Sequence, residues 1–131
     1  MTLKCDRKEN MSTHAKDGAG PKRLLSSQCN VGGRVFEIDL LILSNGCFAS
    51  ISEGMSSKMG AITVAIKSGE RFTSSSLIPE SKGGIFAGMV GEMLADKLHG
   101  IAVISLYLRE ELDTSSMKTL INEVRNLLNK D

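Results

Sequence analysis

Between Lys82 and Leu128 the apolar positions follow three successive patterns. From Gly84 onward, Ile85, Phe86, Met89, Val90, Met93, Leu94 and Leu98 recur at three- and four-residue spacing, which predicts a helix face. Gly88 and Gly91 each lower helix propensity by about 1 kcal/mol relative to Ala, so a helix that keeps both is expected to pack closely against a neighbour. Gly100 is expected to end it in the left-handed conformation, with His99 capping beside it. Next, Ile101 to Leu108 is apolar at both alternating sets of positions apart from Ser105, the pattern of a central strand covered on both sides. Finally Met117, Leu120, Ile121, Val124, Leu127 and Leu128 form one stripe opposite Lys118, Glu123 and Arg125. That predicts an amphipathic helix on a sheet, capped by Asp113 or Thr114.

Upstream the period is that of strands. Leu24 to Gln28 predicts a short strand, and Asn30 to Gly33 the hairpin turn after it. Arg34 to Leu43 alternates at first, with Val35, Glu37 and Asp39 opposite Phe36, Ile38 and Leu40, and then becomes apolar on both faces. Asn45-Gly46 is a strong hairpin signal, followed by a strand at Cys47 to Glu53 that contributes Cys47 and Phe48 as core candidates. Further strands are expected at Ala61 to Ile66 and at Phe72 to Ile78, the second closed by Pro79. These segments predict an α+β fold: antiparallel β-sheets of about six strands packed with two helices, in the order β-β-β-β-β-α-β-α.

Residues 1–21 mix charges, glycine and Pro21 with few apolar side chains. The composition predicts a disordered N-terminal tail ahead of a single domain over residues 22–131. At 131 residues there is no room for a second core.

A net charge of +1 argues against a nucleic-acid partner, and 4% aromatic residues with no Trp argue against base stacking. No run of about 20 apolar residues suggests a membrane span, and the start of the chain has no apolar signal core. The three cysteines, Cys5, Cys29 and Cys47, stand at unrelated spacings, which argues against a disulfide framework and against a metal site. The reducing cytosol or nucleus is the expected setting.

Candidates for catalysis are few. His14 falls in the tail and His99 at a helix end, neither near a recognisable nucleophile elbow. Cys47 has no adjacent base to lower its pKa and reads as a small buried hydrophobe. The cluster Gly83 to Gly91 could suggest a phosphate loop, but it lacks the Walker spacing and its Lys-Ser or Lys-Thr pair; close helix packing accounts for it otherwise. Adjacent Glu110 and Glu111 read as a solvated turn. The residues point to a non-catalytic binding module without cofactor.

Lys58-Met-Gly60 leading into Ala61 to Ile66, then Thr73 to Ile78, Ala102 to Leu108 and the last helix with Leu120, Ile121 and Val124 together resemble the proteasome assembly chaperone 3 family. Cys29 to Leu43 can be laid on that family's paired strands. The chain departs from the family in its long N-terminal tail, in extra residues between Leu43 and Lys58, and in Ile78-Pro79 where the family tends to have Leu-Gly. The resemblance implies a non-enzymatic chaperone that works as a heterodimer with a chaperone-4-like partner in the cytoplasm. It would help order the α-subunits of the 20S proteasome into a ring and leave before maturation. Chaperones that dock in the outer pockets of the α-ring end in a hydrophobic residue, Tyr and one more; this chain ends Asn129-Lys130-Asp131, which implies binding to the face later covered by β-subunits. Lys67, Glu70, Arg71 and Ser74 are the candidate α-subunit contacts. A longin, roadblock or profilin-like scaffold is the competing reading, separated by whether a helix precedes Lys82. A small enzyme or ligand-binding protein using Gly83 to Gly91 is a third.

Overall fold

A computed structural model describes residues 3–11, 23–78 and 84–129. Among these residues seven strands and two helices follow one another: β1 Leu3–Met11, β2 Arg23–Val31, β3 Arg34–Leu43, β4 Gly46–Glu53, β5 Ala61–Ser68, β6 Arg71–Ile78, α1 Gly84–Leu98, β7 Ile101–Tyr107 and α2 Thr114–Leu128. The strands form one sheet in the order β1-β2-β3-β4-β7-β5-β6. All pairs are antiparallel except β4 with β7, where α1 carries the chain back as a crossover. The α+β class and the order of elements after β1 agree with the sequence pattern.

The N-terminal stretch differs. Leu3–Met11 is a strand, paired with β2 from Leu3 opposite Val31 to Met11 opposite Arg23. Composition measures how much a segment can bury, but an edge strand needs only ladder hydrogen bonds and a tie, and here Cys5 is disulfide-bonded to Cys29. The spacing of these cysteines gave no hint of the bond because the strand register, not the sequence distance, sets them opposite. Residues 12–22, with His14, lie outside the described residues.

Turn chemistry fixes the hairpins. Gly32 and Gly33 have φ of 58° and 82°, the two positive angles a tight two-residue turn between right-twisted strands demands. At the end of α1 the left-handed residue is His99, φ 52°, rather than Gly100. His99 N–H donates to the Asp96 carbonyl and Gly100 N–H to the Ala95 carbonyl, closing the helix in a Schellman arrangement. Gly100 is required for another reason: a Cβ there would meet the Asn45 carbonyl oxygen of the β3–β4 turn.

Both helices lie on the same side of the sheet. Leu25, Phe36, Ile38, Leu40, Ile51 and Ile104 point from the sheet into this core and are fully buried. From above, Phe86, Val90 and Leu94 of α1 and Leu120, Val124 and Leu127 of α2 meet them. Gly91 packs onto β5, an added Cβ lying 3.1 Å from Ala65 Cβ, whereas Gly88 has nothing within 4 Å. Close packing therefore explains only one of the two helix glycines.

A partly buried ion pair sets where α2 begins. Arg34 Nε and Nη2 donate to the two oxygens of Glu53 at 2.9 and 2.7 Å, and its guanidinium also donates to the Glu110 and Glu111 carbonyls. Arg109 N–H adds a third hydrogen bond to Glu53 at 2.9 Å. β3, β4 and the β7–α2 connection are thus pinned at one point. Asp113, the observed cap, then accepts from Ser116 N–H at 2.7 Å to start the helix.

Two outcomes follow from this packing. Gly88→Ala is expected to raise unfolding free energy by about 0.5–1 kcal/mol in urea titration, and Gly91→Ala to give none of that gain. Arg34→Met removes the two-point partner of Glu53, leaving it the Arg109 N–H and the nearby Arg109 charge, and is expected to cost about 2 kcal/mol at pH 7. The bond from Arg34 holds the Glu53 carboxyl below its ordinary range. Its contribution is therefore complete above the unfolded value of about 4.3 and lost as pH falls through the lower folded value. Unfolding curves of wild type and variant should converge in acid.

Candidate functional site: the uncovered sheet face

The strands present alternate side chains to a second face that neither helix reaches. Cross-strand register lines them up in rows. One row runs Leu24, Leu41, Phe48, Val103, Val64 across five strands, each residue directly opposite the next. A second apolar set, Leu43, Ile101 and Ile66, lies one step toward the β3–β4 turn. On the other side of the first row, Ser26, Asp39, Ser50 and Ser105 make a polar row, with Ser26 donating to Asp39 at 2.6 Å.

Exposure on this face is high for apolar side chains: Phe48 is 53% exposed, Ile66 41%, Ile101 40% and Leu24 38%. The rows form a shallow groove of about 450 Å³ in which Met59, 80% exposed, reaches in from the β4–β5 connection. That connection is tied to the strands beneath it on either side of Met59. Lys58 N–H donates to Ser52 Oγ at 3.0 Å, and Gly60 N–H donates to Ser105 Oγ at 3.1 Å. An apolar stripe with a polar border and a methionine at its edge is the anatomy of a protein-binding surface.

Phe48, expected in the core, is the centre of this face, while Cys47 beside it points the other way and is buried. Burial pushes the Cys47 thiol up to about 11, the condition of a packed hydrophobe and not of a nucleophile. β7 is likewise not covered on both sides: Ala102, Ile104 and Leu106 face the helices, and Ile101 and Val103 face the groove. The signal for the site was in the sequence as strands apolar on both faces, at β7 and in the second half of β3.

The four candidate contact residues fall together on the β5–β6 hairpin, away from the groove. Lys67 Nζ binds Asp96 Oδ1 of α1 at 2.7 Å, lies over the Phe72 ring, and draws the Asp96 carboxyl below its ordinary range. Glu70 and Arg71 are exposed at the turn, and Ser74 is exposed on the edge strand opposite Ala65. Gly83 lies outside the described residues. Cys5, Cys29 and Glu123 bring potential metal-ligating atoms within 4.8 Å of one another, but the two sulfurs are bonded to each other and are not free thiolates. Near the opposite end of the sheet a charged hollow of about 320 Å³ is lined by Arg34, Glu53, Lys58 and Arg109.

No family model and no curated protein matches the chain. Among solved structures it is similar to a chain of the crystal structure of a novel chaperone complex for yeast 20S proteasome assembly. The TM-score is 0.59 at 10% identity, covering 98% of this chain and 97% of that one. The two share a fold. The superposition spans both helices and the sheet, and among the described residues the first helix begins at Gly84, after six strands. A longin, roadblock or profilin-like order, with a helix ahead of Lys82, is not seen in those residues.

The face is a recognition surface only if the fold stands without it. Phe48→Thr is expected to change unfolding free energy of the isolated chain by less than about 1 kcal/mol, against about 3–5 kcal/mol for Phe36→Ala on the helix side. Denaturant unfolding of the two variants checks this.

Proposed function

We propose that the chain is a non-catalytic assembly chaperone of the 20S proteasome α-ring, acting in the cytoplasm as one half of a heterodimer. Its partner is a chaperone-4-like subunit whose own sheet covers the apolar rows centred on Phe48. The observation that carries this reading is the combination of a fold shared with a chain of a yeast proteasome assembly chaperone complex and a sheet whose second face carries an exposed apolar row that no helix covers among the described residues. Sheet-on-sheet packing at about 10 Å separation would bury Leu24, Leu41, Phe48 and Val103 together, with the Ser26 to Ser105 row as a polar rim.

The chemistry such a role needs is binding alone. A chaperone that holds α-subunits in order stabilises the correct intermediate by preferential affinity and leaves when a better-fitting surface displaces it. The β5–β6 hairpin, with Glu70, Arg71 and Ser74 exposed beside Lys67, offers contacts away from the dimer face, so α-subunit and partner chaperone could be bound together.

Affinity purification of the tagged full-length chain from its own cells, with co-purifying proteins identified by mass, tests the proposal. Recovery of a second small chaperone and of α-subunits without mature β-subunits is expected. Phe48→Asp should lose the chaperone partner while the isolated variant still folds. Recovery of vesicle-tethering subunits or actin, or an unaltered partner complex for Phe48→Asp, would overturn it.

A further inference from the structure

We propose that Cys5 and Cys29 are a thiol–disulfide exchange pair that latches β1 onto the sheet, with Cys5 as the entry point for a low-molecular-weight disulfide. The proposal is independent of the chaperone reading.

β1 is an edge strand whose ladder runs to one neighbour, β2, and at Cys5 it also meets α2, the Cys5 sulfur lying within 4.8 Å of a Glu123 carboxylate oxygen. Its register sets Cys5 directly opposite Cys29, and the bond between them closes a loop of 24 residues that includes the whole β1–β2 connection. The two sulfurs sit in different surroundings. Cys29 is fully buried beneath α2, whereas Cys5 is only partly buried, at the rim of the core. An attacking reagent therefore meets Cys5 first, as accessibility governs which sulfur exchanges.

The reaction balances as two displacements. The Cys5 thiolate attacks a disulfide RSSR, giving Cys5–S–SR and releasing RS⁻. The Cys29 thiolate then attacks the Cys5 sulfur, forms the Cys5–Cys29 bond and expels the second RS⁻. The two protons lost from the cysteines end on the two released thiols. The chain is oxidised by two electrons and RSSR is reduced to two RSH. Excess thiol runs both steps backward.

The latch has a built seat. Ser27, two residues before Cys29 on the same face of β2, places its Oγ 3.6 Å from Cys29 Sγ and donates to Glu123 Oε2 of α2 at 2.7 Å. The disulfide thus joins β1 to the point where β2 is already fastened to α2. With the bond closed, β1 shares that rigidity. With it open, β1 is left with a ladder to a single neighbour, and β2 can become the free edge of the sheet. In a reducing compartment a disulfide of this kind is a sensing bond and not a permanent staple.

The test uses the full chain equilibrated with glutathione disulfide or with excess dithiothreitol, then denatured, alkylated and weighed, alongside hydrogen exchange read by peptide. One alkylated cysteine, Cys47, is expected in the oxidised sample and three in the reduced one. On reduction, amides of Leu3–Met11 should exchange at least about tenfold faster while those of β7 stay unchanged. Cys5→Ser should exchange fast at β1 under both conditions, and Cys47→Ser should keep the full response. Three free thiols in glutathione disulfide, or equal protection of β1 in the two states, would overturn the latch.

Discussion

Two helices on one face of a seven-stranded sheet form the constraint from which the rest follows. A sheet this wide can bury one side under α1 and α2, but these elements cannot reach the other. Side chains alternate along each strand, so every residue that packs on the helices commits its neighbours to the uncovered side. Phe36, Ile38 and Leu40 fill the core, and by the same register Leu41 falls in the row with Leu24 and Phe48. The bare face is therefore a consequence of how the core is built. What is particular to this chain is that the face is apolar.

Polar contacts decide where the cover sits. The Arg34–Glu53 pair sits partly buried at one end of the sheet and takes the Glu110 and Glu111 carbonyls into its network, which fixes how the chain leaves β7 before Asp113 caps α2. Ser27 bound to Glu123 fastens the middle of that helix to β2. Lys67 with Asp96 ties the end of α1 to β5. Each of these contacts lies on or around the helix-covered side. On the groove side, the row from Leu24 through Phe48 to Val64 is apolar throughout, and Asp39 in the adjoining polar row accepts a hydrogen bond from Ser26, so a second apolar surface would meet an apolar row bordered by one carboxylate.

The sequence was legible where local period and burial agree. Arg34 to Leu40 alternates, and its buried set is the one that alternation gives. α2 shows a clear stripe, and its cap is one of the two residues expected. It was misleading where a strand carries apolar side chains on a face that neither helix covers. Ile101 to Leu108 reads as covered on both faces, and Phe48 as core, because apolar composition alone does not distinguish a covered face from an exposed one. β1 escaped notice for the opposite reason: its order comes from backbone pairing and from Cys5 meeting Cys29, neither of which leaves an apolar pattern. The hairpin residues Lys67, Glu70, Arg71 and Ser74 did come together, but the sheet's apolar centre lies elsewhere.

Hydroxyl-radical footprinting of the complex isolated from cells, compared with the isolated chain, tests most directly whether the uncovered face is where this protein works. Side-chain labelling should fall at Phe48 and Met59 on the groove while Met89 on the outer side of α1 stays as reactive as in the free chain. Unchanged labelling of Phe48 and Met59 in the complex, with protection at Met89 in their place, would contradict the account.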